Sequence, residues 1–146
     1  MALPRQKFRE LVFQLLYSHD FSESDEKDMT PFMMHEFAVS KKTVRMAVER
    51  KEQVQLKQDE IDRLISKVSK AYDFERISRV ERNILRLGVF ELMHEDSVPP
   101  KVAITEAIRL TRKFGSPEGA SFVNAILDAI YSKERTHDIS LQSREG

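Results

Sequence analysis

The sequence predicts an all-α protein, and three observations predict it. Apolar residues recur at spacings of three and four through most of the chain. They do not alternate in the period-two pattern of a half-buried strand. The four glycines and five prolines fall where helices should begin or end, so the local backbone signals agree with the periodicity. A chain of 146 residues, 40% of them hydrophobic, is long enough for one domain around one core.

Taken in order, Pro4 opens a helix whose apolar residues Phe8, Leu11, Val12, Leu15 and Leu16 keep helical spacing, with Phe13 and Tyr17 widening the stripe. It should end near His19 or Asp20. The acidic stretch DFSESDEKDM, residues 20–29, reads as a loop, after which Thr30 and Pro31 supply the N-cap and first position of a short helix through Phe32, Met33 and Phe37. Val44, Ala47, Val48 and Val54 mark a more polar helix. Ile61, Leu64, Ile65, Val68 and Tyr72 mark another that begins near Asp59, the two dividing near Gln58.

Ser78-Arg79-Val80-Glu81 matches a capping box, in which serine and glutamate satisfy free backbone N–H groups at a helix start. The helix it opens, RVERNILRLGVFELMHE, is apolar almost all round from Ile84 to Met93, so it should lie centrally. After the break at Val98-Pro99-Pro100, Val102, Ile104, Ala107, Ile108 and Thr111 form a helix stopped by Gly115. Ser116 caps the last helix, Pro117 is its first residue, and Val123, Ile126, Leu127 and Ile130 are its core stripe. Residues 134–146 are polar and aperiodic and read as a disordered tail, which leaves a single domain over residues 1–133.

Composition excludes several functions. No cysteine is present, so there is no disulfide, thiolate metal site or cysteine nucleophile, in keeping with a reducing compartment. No apolar run approaches the ~20 residues of a membrane span, and MALPRQKFREL lacks the apolar middle of a secretion signal. The expected location is the cytoplasm. His19, His35, His94 and His137 are scattered, with no two at the spacing of a helical metal site. There is no glycine-rich phosphate loop, nucleophile elbow or dinucleotide fingerprint. No catalytic residue, metal or cofactor is expected, and a binding protein fits better than an enzyme.

The 24 basic and 24 acidic residues cancel, so a polyanion would have to be held by a local patch. Charge is uneven along the chain: Arg5, Lys7 and Arg9 face only Glu10 before residue 20, the next segment is strongly acidic, and Lys41 to Lys57 is basic again. Cations at a helix start oppose its dipole, so the first cluster is locally unfavourable unless an anion offsets it. A solvated first turn is the competing explanation.

Four blocks, in this order, resemble the NusB family: RQKFRELVFQLLY (Arg5 to Tyr17), VERNILRLGVFEL (Val80 to Leu92), VPPKVAITEAIRLTRKFG (Val98 to Gly115) and FVNAILD (Phe122 to Asp128). The resemblance spans nearly the whole chain except a divergent stretch from about Asp20 to Gln58. It implies a compact bundle of about seven helices in two subdomains. It also implies a transcription antitermination factor that binds single-stranded boxA RNA of ribosomal RNA transcripts together with NusE, a small-subunit ribosomal protein. Other Nus factors and RNA polymerase would be met through that pair, and a second copy of the chain is a further partner the family implies.

Carried over residue by residue, the resemblance places Arg5, Lys7 and Arg9 in an arginine-rich RNA-binding start, Tyr17 and Glu81 on a NusE-facing surface, and Glu118 and Phe122 on an RNA-facing surface, with Lys113 nearby. Gln6 stands where a further arginine can occur and Phe8 replaces a small residue, which implies lower intrinsic RNA affinity. Phe122 is then either a stacking platform for a base or an ordinary core residue. Glu118 either complements the helix dipole or meets a base amino group, and Asn124 is expected to satisfy backbone groups between helices. Two other functions fit the same helices. One is a protein-only adaptor; the other is the helical module that precedes the catalytic domain of some ribosomal RNA cytosine methyltransferases, whose cofactor domain and cysteines are missing here.

Overall fold

Seven α-helices and one 3-10 turn account for the regular structure in the computed structural model, which describes residues 5–21, 30–70 and 73–145, with the backbone alone for Phe21 and residues 134–145. The chain divides into two units, residues 1–58 and 59–146. Pro4, the acidic loop from Ser22 onward and Tyr72 lie outside the described residues.

The first unit holds α1 (Arg5–Phe21), α2 (Thr30–Phe37) and α3 (Lys41–Leu56). Leu11, Val12, Phe13, Leu15 and Leu16 of α1 are all buried, as are Met33 of α2 and Val44, Ala47 and Val54 of α3. Each of these three helices packs on the other two. α2 stops at Ala38, whose φ of 51° is left-handed, and the Val39 N–H then reaches back to the Met34 carbonyl at 3.2 Å. A residue with a Cβ is strained there. Ser40 opens α3 by accepting the Thr43 N–H at 3.2 Å.

α4 (Gln58–Val68), which lies in the second unit from Asp59 on, is separated from α3 by Lys57 alone, which matches the division expected near Gln58. α4 ends at Val68, short of the extent expected from its apolar pattern. A 3-10 turn at Phe74–Arg76, not anticipated, leads into α5 (Arg79–His94). Every residue of α5 from Asn83 to Glu91 is buried, as a helix apolar on all sides requires. α6 (Pro100–Phe114) and α7 (Pro117–Glu145) pack on α5 and on each other. Gly88 permits the closeness: a Cβ there would lie 3.1 Å from Leu127 Cδ1 and 3.6 Å from the Ala107 Cβ. Through the segment read as an irregular tail from Glu134, the backbone of α7 runs helical to Glu145. No glycine or proline stands between Ala120 and Glu145 to stop it.

Candidate nucleic-acid interface

Two helix starts build the site. At α5 the Glu81 N–H donates to the Ser78 hydroxyl oxygen at 3.2 Å, while the Ser78 hydroxyl donates to the Glu81 carboxylate. At α7 the Gly119 N–H donates to the Ser116 hydroxyl oxygen at 3.0 Å, with Pro117 as the first helical residue. Gly119 lets the two starts meet. A Cβ there would sit 3.1 Å from Glu81 Oε1 and 3.2 Å from Ser116 Oγ, so any larger residue would press the Glu81 carboxylate aside by a few tenths of an ångström.

The result is an open groove of about 290 Å3, walled by Arg76 of the 3-10 turn, by Ile77 and Ser78 that join the turn to α5, by Glu81 of α5, and by Ser116, Glu118, Gly119 and Phe122 at the start of α7. The turn is held in place by arginines of α5. Arg82 Nη2 donates to the carbonyls of Glu75 at 3.0 Å, Ile77 at 3.1 Å and Phe74 at 3.4 Å, and its guanidinium lies 4.9 Å from the centre of the Phe74 ring. Arg86 stands 5.5 Å from the same ring. It is buried and makes a two-pronged pair with Asp62 of α4, Nε to Oδ1 at 2.9 Å and Nη2 to Oδ2 at 3.0 Å. Asn83, also buried, accepts from Arg86 Nη1 at 3.3 Å and donates to the Arg79 carbonyl at 2.8 Å.

Chemically the groove offers the half-buried Phe122 ring, two serine hydroxyls and the carboxylates of Glu81 and Glu118. Its one cation, Arg76, is highly exposed and lies 3.9 Å from Asp73. A ring face beside hydrogen-bond acceptors suits a planar base carrying an amino group. The carboxylates disfavour a phosphate.

Of the sequence-predicted residues, Glu81, Glu118 and Phe122 come together here, although the resemblance divides them between a protein-facing and an RNA-facing role. Lys113 is exposed in the last turn of α6, its ammonium 5.6 Å from the centre of the Phe114 ring, two residues before the Gly115-Ser116 link into the groove. Arg5, Lys7, Arg9 and Tyr17 belong to α1, in the other unit. Arg5 is exposed and Lys7 half-buried. Arg9, at 6% exposure and engaged by other groups, is not the open phosphate contact expected of it, because its place beside the apolar stripe of α1 takes it into the interior. The Tyr17 ring stacks on Phe13 at 5.8 Å and 28° and stays half-buried. Asn124 is exposed, so it does not mediate between helices as expected.

Sequence reasoning missed Arg76, Ile77 and the supporting Arg82, Arg86 and Asp62. The turn that carries Arg76 and Ile77 is too short to show a period, and arginines inside an apolar helix look like solvent contacts. Gly119 does carry a signal in the sequence, a glycine in the first turn of a helix where alanine is favoured. Among the described residues no group of three or more histidine, aspartate or glutamate side chains is arranged to hold a metal, and no helix is long and apolar enough to cross a membrane.

The NusB family model matches residues 6–132. The transcription antitermination protein NusB of Chlamydia pneumoniae is 36% identical over 138 residues, which cover 94% of this chain and 86% of that protein. The protein of the same name from Myxococcus xanthus is 37% identical over 130 residues, covering 86% and 93%. Among solved structures, T. maritima NusB superposes with a TM-score of 0.76 at 32% identity, over 90% of this chain and 93% of that one. A structure described as the antitermination factors NusB and NusE in complex with dsRNA contains a chain that superposes at 0.74 with 28% identity, over 88% and 96%.

Proposed function

The chain belongs to the NusB family, and on that premise we propose that it is a transcription antitermination factor that binds boxA-like RNA of ribosomal RNA transcripts together with NusE. It works by binding and carries out no catalysis. The observation that carries this reading is the convergence of Glu81, Glu118 and Phe122 on one groove at the starts of α5 and α7. Phe122 stacks an unpaired base, a contact worth about 1–3 kcal/mol. Glu118 accepts from a base amino group, a role that explains a carboxylate beside RNA better than a phosphate contact would.

NusE binds at Tyr17 and at the Glu81 side of the groove, so the two partners meet where Glu81 and Phe122 share a wall. Arg5, Lys7 and Lys113 add cationic contacts, since Arg5 and Lys113 are exposed and Lys7 is half-buried. RNA polymerase and the other Nus factors are reached through the pair, in the cytoplasm. Self-association through the RNA-facing surface would compete with RNA.

Titration of boxA-like single-stranded RNA with and without NusE tests the reading. Tighter RNA binding in the presence of NusE is expected, because the second partner adds contacts to a modest basic patch. Equal affinity with and without NusE removes the cooperative part, and NusE binding without any RNA binding would make the protein a protein-only adaptor.

A further inference from the structure

We propose that the outer face of α6 is a phosphate track that continues the groove, with Lys101 and Arg112 leading to Lys113 and holding the backbone of the same RNA strand whose base enters beside Phe122. The proposal rests on the RNA-binding reading above and adds the residues that neutralise the strand.

The groove itself cannot do so. It sets the carboxylates of Glu81 and Glu118 against Arg76, which already lies 3.9 Å from Asp73. An RNA strand brings a negative charge with every nucleotide, so a base can sit in such a groove only if cations next to it take up the phosphates.

α6 supplies them on one side. Lys101, Arg112 and Lys113 are exposed, and Arg109 is half-buried. The one acid of the helix, Glu106, is turned inward at 9% exposure and is ion-paired to Arg109. Neither Lys101 nor Arg112 has an ion-pair partner among the described residues. Lys101 stands in a first turn without an acid, where a cation opposes the helix dipole, so an arriving anion would relieve it. Helical spacing puts positions 101, 105, 109 and 112 along one stripe, with the exposed Thr105 between the charges. At 1.5 Å per residue the stripe runs for about 16 Å, room for a few nucleotides of extended strand.

The stripe ends at the groove. α6 stops at Phe114, and Gly115 leads directly to Ser116, which is at once the cap of α7 and part of the groove wall. A Cβ on Gly115 would lie 3.5 Å from Val80 Cγ1, so the end of α6 abuts the start of α5 where the groove opens. An acidic protein segment would also satisfy the cations, but the aromatic ring and base-sized groove at the end of the stripe favour RNA.

The test uses the full chain, a boxA-like RNA of about 12 nucleotides, within the range of single-strand site sizes, and the same RNA lengthened at either end by a run of uridines. Fluorescence anisotropy across a salt series should show the lengthened RNA binding more tightly. Its log–log salt slope should be steeper by about 1.4, two contacts at about 0.7 each, or roughly a sevenfold greater loss of affinity between about 50 and 200 mM salt. The double variant Lys101→Ala/Arg112→Ala should lose that increment and keep the affinity for the short RNA and the helical circular dichroism of the wild type. An increment unchanged in the double variant overturns the track while leaving the groove intact. If the wild type binds neither RNA, the RNA reading fails and the track with it.

Discussion

Splitting the basic start of α1 separates charge that RNA can reach from charge that the fold has taken inside. Arg5 is exposed and Lys7 half-buried, so the pair is available to phosphates, whereas Arg9 is 6% exposed. Replacing Arg5 and Lys7 together by alanine should flatten the dependence of log RNA affinity on log salt by about 1.4, two contacts at about 0.7 each for a single strand. Stability should hold or rise by a few tenths of a kcal/mol, since cations at a helix N-terminus oppose its dipole. Arg9→Ala should do the reverse. It removes a buried guanidinium that has partners, a loss of about 1–3 kcal/mol where a charged group is hydrogen-bonded. The loss would appear as a lower urea midpoint at unchanged m, with the salt slope unaltered. Anisotropy titrations at several salt concentrations and urea unfolding followed by circular dichroism read both quantities. A shallower salt slope in Arg9→Ala with an intact midpoint would refute the reasoning, because it would make Arg9 an RNA contact and its burial irrelevant.

Asp62→Ala should destabilise the protein by about 3–5 kcal/mol in urea unfolding, because it strands the buried Arg86 without its carboxylate. Adding Arg86→Met should recover part of that loss, and an Asp62→Ala variant as stable as wild type would deny the pair any structural role. Gly119→Ala should weaken both NusE and boxA-like RNA binding with little change in thermal midpoint, since the new Cβ displaces the Glu81 carboxylate from 3.1 Å away. Unaltered affinities would show that Glu81 need not hold that position. Ala38→Gly should stabilise the fold by up to about 1 kcal/mol by relieving the left-handed φ of 51°, and a lower urea midpoint would contradict that account of the α2 stop.

Helix order and helix starts were legible because the residues that encode them act locally. Ser78 and Ser116 cap the helices they were expected to cap, and the all-round apolar pattern of Ile84 to Met93 marks the helix buried in the second unit. What failed to show was anything decided by tertiary neighbours. Arg9 reads as a surface cation and nothing in the sequence singles out Arg86, yet burial is set by what packs over them, and a buried arginine is recognisable only once a partner such as Asp62 is in view. The groove was half legible: Glu81, Glu118 and Phe122 were singled out by resemblance, but their shared wall depends on Gly119 and on a turn held by Arg82 carbonyl contacts, distant in sequence from α7. The end of the last helix went the other way, because polar composition hides the absence of a breaker after Ala120.

The central claim, that RNA enters the groove at the starts of α5 and α7, is tested most directly by amide chemical shifts of the isotope-labelled protein during titration with a boxA-like single-stranded RNA. The largest shifts are expected at Ser78, Glu81, Gly119 and Phe122, with a Phe122→Ala variant binding roughly 5- to 150-fold more weakly, the equivalent of about 1–3 kcal/mol of lost stacking. Shifts confined to α1, or a Phe122→Ala variant with wild-type affinity and unchanged fold, would contradict it.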